Sequence, residues 1–424
     1  MPAALLVGFH FPPLAGSSGV QRMLRFVQHL PRFDWQPLVL TAHPAAYEHT
    51  NSDLLKSVPP ATVVHRALAL DAARHLAVRG RYPAALARPD RWASWRFDAV
   101  RQGMQMIRQY SPKVILSTYP IATAHVIGAE LQRCSGLPWI ADFRDPMAQE
   151  GYPTDRRVWQ TFVDIETRAM CHASCCLFTT PGAAATYRAR YPEAAARIAV
   201  LENGYDEESF ALAEASLLER QPLHPGSFTL LHSGIVYPVE RDPSALFRAL
   251  QDLRARGSLP PGRLKIRFRA PVHEALLLSL ARQHGVHDCI EVLPAVDYGA
   301  ALAEMLRADA LLLMQGADCN EQIPAKLYEY LRAGRPVVGL ADASGDTARA
   351  LHSAGIEACA ALEDPAAIAR LLERVLQAPD AGTLGKAEAV RAASRLNRTA
   401  ELAAHMQRVS CDYRSSRELP AAPA

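Results

Sequence analysis

Short runs of branched and aliphatic residues recur along the chain, each followed by a stretch whose apolar positions fall three and four apart. The runs near 4–9, 37–41, 62–66, 113–117, 138–142, 175–179 and 198–201 predict the strands of a first half. After Asn203-Gly204 the pattern restarts, with runs at 228–232, 264–268, 289–292, 310–314 and 336–339. Strands that alternate with helical stretches imply parallel sheets covered by helices on both faces. The expectation is an α/β chain of two doubly wound, Rossmann-type domains facing across a cleft. The first spans 1–205 and the second 227–382, with a linker at 206–226 that is Ala-rich and then reads Gln221-Pro-Leu-His-Pro-Gly226. A helix over 383–412 closes the chain, and the Ala/Pro-rich tail 413–424 is expected to be disordered. In such sheets ligands collect beyond the carboxyl ends of the strands, so the loops there are where chemistry is sought.

Composition narrows the class. A length of 424 residues exceeds a single core, and 49% apolar with 21% charged residues suits a globular protein. A net charge of +3 gives no case for nucleic acid. No apolar run reaches the ~20 residues of a spanning helix. Met1-Pro-Ala-Ala-Leu-Leu-Val lacks the basic start of a signal peptide, so a cytoplasmic location is expected. The eight cysteines are scattered, and Cys171-His172-Ala-Ser-Cys175-Cys176 runs into an apolar strand, where thiols act as small hydrophobes. No metal site is expected.

Candidate chemistry concentrates in Glu321-Gln-Ile-Pro-Ala-Lys-Leu-Tyr-Glu329 and the following Tyr330-Leu-Arg-Ala-Gly-Arg-Pro-Val-Val338. The residues predict a loop, a short helix with Pro324 in its first turn, a stop at Gly334 and a buried strand. Lys326 and Glu329, three apart, share a face. A cation for phosphate and a carboxylate for a diol at a helix start suit a nucleotide-sugar. An amphipathic helix with its own ion pair fits the same spacing. Elsewhere, Gly16-Ser-Ser-Gly19 follows the first strand. Asp142, Arg144 and Asp145 follow the fifth, and His125 starts a helix. Gly234 and Arg241 flank a loop in which Asp242 is expected as N-cap and Pro243 at the first helical position.

Four segments together resemble family 4 glycosyltransferases of the GT-B fold, bacterial members that build polysaccharide or glycolipid. Glu-x7-Glu at 321–329 looks like their donor signature. Phe9-His-Phe-Pro-Pro-Leu-Ala-Gly-Ser-Ser-Gly-Val-Gln-Arg22 looks like their opening loop, Pro138-Trp-Ile-Ala-Asp-Phe-Arg-Asp-Pro146 like their "DFRDP" segment, and Asn203-Gly-Tyr-Asp206 like their domain junction. The resemblance implies Glu329 on the nucleotide ribose, Glu321 on the transferred sugar, and Arg241 with Lys326 on the diphosphate. Gly234, Leu327 and Gly16 would also face the donor. His125 would stand near the anomeric carbon, with Ser17, Asp142, Arg144 and Asp145 on the acceptor side. It further implies a C-terminal helix that crosses back, and retaining, metal-independent transfer of a hexosyl or N-acetylhexosaminyl group without cofactor. A UDP-sugar is favoured as donor, and a glycan or lipid-linked molecule as acceptor. Ile235 departs from the pattern, since many members place an arginine there.

Between Arg66 and Arg108 stand nine arginines and three aspartates, with Tyr82, Trp92, Trp95 and Phe97 among them. A solvated excursion and a surface for peripheral contact with an anionic membrane both fit. The second would put the protein at the inner face of the plasma membrane. Two other classes share the architecture: a nucleotide-sugar 2-epimerase or phosphorylase, and a non-catalytic carbohydrate- or partner-binding protein, which the loss at Ile235 would suit.

Overall fold

The computed structural model describes residues 1–15, 19–217 and 221–418, and the chain divides into two compact units. The first comprises 1–202 together with the chain end from Arg395, and the second 203–394. In the first, β1 (Ala3–Gly8), β2 (Gln36–Ala42), β3 (Val63–Ala67), β4 (Val114–Thr118), β5 (Trp139–Arg144), β6 (Cys175–Phe178) and β7 (Ile198–Val200) form one sheet in the order 3-2-1-4-5-6-7. In the second, β8 (Phe228–Ser233), β9 (Leu264–Arg269), β10 (Ile290–Leu293), β11 (Ala310–Gln315), β12 (Val337–Ala341) and β13 (Cys359–Ala360) form a sheet in the order 10-9-8-11-12-13. All pairings between these strands are parallel. Each expected strand is present, and both sheets are doubly wound. Only β13 was missed, because two residues carry no periodicity.

Both faces of the first sheet are buried, as parallel sheets require. Along β1, Ala3, Leu5 and Val7 face one apolar cluster, while Ala4 and Leu6 face another. Alternation with period two places them so. The second cluster takes Leu24 and Val27 from the helix Gly19–His29 and Leu402, Met406 and Val409 from the helix Arg395–Glu418. Spacings of four and three put those last residues on one helical face. The chain end therefore completes the first unit; Arg398 fastens it to Glu202 and pairs within its own helix with Glu401 at 2.8 Å.

Two expectations need correction. The segment 206–226 is not simply a linker, since it contains the helix Glu207–Ser216, whose Phe210 and Ala213 lie in the second unit's core. Asp206 caps it by accepting from the Ser209 N–H at 2.8 Å, and Glu207 and Glu208 complement its dipole. Ala-rich sequence behind such a start is a helix signal that was read as a spacer. The final helix runs to Glu418, beyond the predicted start of the tail, and 419–424 lie outside the described residues. The arginine-rich stretch is used in part by the fold, while Arg79, Arg81, Arg96, Arg101 and Arg108 stay exposed, as in a solvated excursion. Trp95 is sealed in the core, Trp92 donates to the Ala46 carbonyl, and Arg66 and Arg74 bond the Pro12 and Tyr47 carbonyls. Arg91 pairs with Asp71 and Glu48. The large apolar side chains exposed there are Leu68, Val78, Leu86 and Phe97. Among the described residues, no helix is long and apolar enough to cross a membrane.

Candidate functional site

The strand order of the second sheet reverses between β8 and β11, and a doubly wound sheet opens a crevice at such a point. The loops leaving these two strands carry the predicted donor residues. Beyond β8, Gly234 takes φ +115°, a conformation that side chains disfavour. Its N–H donates to the Arg269 carbonyl at 2.8 Å. The neighbouring Ser233 N–H donates to the Tyr330 hydroxyl at 3.0 Å, which ties the loop to the helix Lys326–Ala333. Lys326, the first residue of that helix, brings Nζ to 3.1 Å from Nε2 of His232. A Cβ on residue 234 would stand 3.2 Å from the same Nζ, so glycine is what lets the ammonium lie against the backbone.

Arg241 completes the cluster. The Tyr237–Arg241 turn, closed by an N–H···O bond of 3.0 Å, folds the side chain back so that it donates to the Ile235 carbonyl at 3.0 Å and to Gln315 Oε1 at 3.4 Å. Its guanidinium lies 5.2 Å from the Tyr237 ring centroid. Arg241 thus brings a cation to Ile235, where the sequence pattern lacks one. Burial, and then the Arg241 charge, hold the Lys326 ammonium well below its ordinary range, and Glu329 opposes them in part. Burial also lowers Arg241, and burial followed by Lys326 drives His232 well down, so its imidazole is neutral. No ion pair joins Lys326 or Arg241 to a carboxylate among the described residues. Partly buried cations with little counter-charge are costly, and an arriving anion relieves that cost.

The carboxylates are placed differently from each other. Glu329, half-buried, accepts from the Tyr298 hydroxyl at 2.8 Å, and Tyr298 opens the helix Tyr298–Arg307. Glu321 is exposed, in the loop before the helix. Leu327 is corrected: its side chain fills the core and its N–H is spent on the Pro324 carbonyl at 2.9 Å. Pro324 precedes the helix, whose N-cap is Ala325, although Gly334 ends it in the left-handed region as expected. Near Arg241 the helix begins at Ser244, one residue later than expected. Asp242 accepts from the Ser244 N–H at 2.9 Å, one position ahead of the cap.

In the first unit the expectations fare less well. Asp142 is fully buried, and Arg22 grips it with Nε and an NH2 group, both at 2.9 Å, while the Thr118 hydroxyl donates at 2.8 Å. It is a structural anchor, and its partner is Arg22. Arg144 has φ +63°, donates to the Tyr119 carbonyl at 3.2 Å and leaves Nε without a partner. Burial lowers Arg144 and raises Asp145, and both remain partly accessible. His125 is sealed among Phe143, Tyr119 and Trp139, with Nδ1 2.7 Å from Ser117 Oγ, and burial lowers it to about 4. With 0% exposure it cannot meet a sugar in this arrangement. Gly16 and Ser17 lie outside the described residues.

Sequence reasoning missed His232, Tyr298, Gln315 and Arg22. His232 sits inside an apolar run and reads as core. Arg22 lies within a motif already quoted, but nothing in the spacing links it to Asp142.

Comparison with known proteins bears on the fold. No curated protein sequence matches the chain. An α,α-trehalose 6-phosphate synthase from Burkholderia multivorans aligns over 100% of both chains, with TM-score 0.67 and 13% identity. Anabaena Alr3699/HepE in complex with UDP and glucose aligns over 96% of this chain and 100% of its own, with TM-score 0.64 and 14% identity. A putative UDP-N-acetylglucosamine 2-epimerase from Listeria monocytogenes aligns over 96% of each chain, with TM-score 0.57 and 11% identity. The chain therefore has the GT-B fold. Residues 18–204 match the family described as Glycosyl transferase 4-like domain.

Proposed function

We propose that the protein is a glycosyltransferase whose second unit holds a nucleoside-diphosphate sugar. One observation carries this reading: Lys326 and Arg241, half-buried and with no ion-paired carboxylate among the described residues, converge beside the bare backbone of Gly234. Such a cluster suits a diphosphate and stabilises the charge that grows on it as the sugar departs. Glu329, steadied by Tyr298, suits the vicinal hydroxyls of a ribose, because a carboxylate accepts two hydrogen bonds. Glu321, exposed in the adjoining loop, is assigned to the transferred hexosyl or N-acetylhexosaminyl group. Protein cations in this role suit metal-independent transfer, and a leaving diphosphate that takes up the acceptor's proton on the same face gives retention. UDP is the favoured carrier, in keeping with the UDP bound by HepE.

The acceptor, a glycan or lipid-linked sugar, is assigned to the first unit, with Arg144 and Asp145 as its accessible charged groups. For a lipid-linked acceptor, membrane contact at the cytoplasmic face falls to the turn Val78-Arg79-Gly80-Arg81 and Leu86. There Val78 is 74% exposed, and Arg79 and Arg81 are exposed with it.

The test is release of nucleoside diphosphate from UDP-glucose, UDP-N-acetylglucosamine and GDP-mannose. It is run with and without chelator, against polyprenyl-phosphate-linked sugars, with the anomeric configuration of product read by NMR. Chelator-resistant release with retained configuration is expected. Epimerised UDP-N-acetylglucosamine would place the protein among the epimerases, and intact donors throughout would leave a binding protein.

A further inference from the structure

His232 has no part in the reading above, yet it is fully buried at the end of β8 and touches the site's central cation. Its two ring nitrogens are fixed by unlike partners. Nδ1 lies 2.9 Å from the Leu312 carbonyl, which can only accept, so Nδ1 carries the proton. A neutral ring then has a lone pair on Nε2, 3.1 Å from Lys326 Nζ. That lone pair receives one ammonium N–H. Nζ stands 3.2 Å from the position of a Cβ on residue 234, so the ammonium held by that lone pair lies against the Gly234 backbone.

We propose that His232 is a positioning residue for the donor's diphosphate, aiming the Lys326 ammonium across Gly234 through the Leu312 carbonyl–imidazole–ammonium chain. The inference rests on the donor-site reading and adds how its lysine is held. A lysine has rotatable bonds that cost entropy to fix, and among the described residues no carboxylate pairs with this one to fix them, Glu329 acting on its charge only in part. A carboxylate would also neutralise the charge meant for phosphate. A neutral imidazole directs the ammonium and leaves its charge intact. β11 supplies the carbonyl and β8 the ring, so the lysine is referenced to both strands at the reversal of sheet order.

The role predicts which ligands feel its loss. Free UDP carries more charge on its terminal phosphate than a UDP-sugar does, and UMP lacks that phosphate. In His232→Phe, which fills the space but accepts nothing, UDP should bind about tenfold or more weakly, the scale of a lost hydrogen bond at a charged group. UMP affinity should change less than twofold. With the best donor, kcat should fall more than KM rises. His232→Gln, whose carbonyl oxygen stands near the Nε2 position, should restore most of the UDP affinity. Titration calorimetry of UDP, GDP, ADP and their monophosphates against wild type and both variants decides it. Unchanged diphosphate affinity in His232→Phe overturns the proposal. So does equal loss of mono- and diphosphate in both variants, which marks a purely structural residue. Wild type that binds none of the diphosphates instead overturns the donor-site reading on which the proposal stands.

Discussion

Replacing Asp142 by Asn should destabilise the first unit severely while leaving the nucleotide site untouched. The Asp142 carboxylate has no exposure and receives three hydrogen bonds, two from Arg22 and one from Thr118. Arg22 is almost as buried, and its other bonds go to the Leu201 and Glu202 carbonyls, at 3.0 and 3.1 Å. An asparagine keeps the shape, but it turns one contact into donor against donor and strands a buried guanidinium. Breaking one half of a buried pair costs about 3–5 kcal/mol. Arg22→Met should cost as much, by stranding the carboxylate. The double variant Arg22→Met/Asp142→Leu should lie closer to wild type than either single change, because both desolvated charges are gone. All five tryptophans lie between 35 and 159, within the first unit, so urea unfolding followed by tryptophan fluorescence reads that unit alone. At a slope of about 3 kcal/mol/M the single variants should shift the midpoint down by about 1 M or more. Single variants within about 1 kcal/mol of wild type would refute the anchor and return Asp142 to the acceptor side.

Two further outcomes follow from the same geometry. Gly234→Ala combines a left-handed φ with a Cβ 3.2 Å from Lys326 Nζ, so it should weaken nucleoside-diphosphate binding more than tenfold and lower stability by about 1–2 kcal/mol, read by calorimetry and melting. His125, held at about 4 by burial, takes up no proton in the folded state until the pH nears 4, whereas the unfolded chain protonates near 6.5. The unfolded state then binds more protons between those values, and stability falls as pH drops through the window, by up to about 3 kcal/mol from this group. Burial raises Asp90, Asp145 and Glu166, which act in the opposite sense, so the difference between wild type and His125→Phe isolates the histidine. Parallel pH profiles for the two proteins would contradict a sealed neutral ring.

The fold was legible because its strands are buried on both faces and so stand out as continuous apolar runs. Gly334, Glu329 and Lys326 were legible for a local reason: a helix stop and a three-residue spacing act within one turn. What escaped depends on contacts far apart in sequence. Asp142 was placed on the acceptor side because it follows a strand end, but its charge is met by Arg22, 120 residues away. His232 was hidden because its role needs the Leu312 carbonyl and Lys326, 80 and 94 residues on. His125 was carried to the reacting centre by the resemblance of its segment, and the packing of Phe143 and Tyr119 around it overrides that. The helix Glu207–Ser216 was passed over because an alanine-rich stretch between domains was taken for a spacer.

The central claim is that the Lys326–Arg241 cluster is a diphosphate site, and calorimetry of UDP and UMP against wild type and Lys326→Met tests it most directly. The account predicts that wild type binds UDP more tightly than UMP without divalent metal, and that Lys326→Met removes the difference while UMP affinity holds. A Lys326→Met variant that still prefers UDP to the same degree would contradict it.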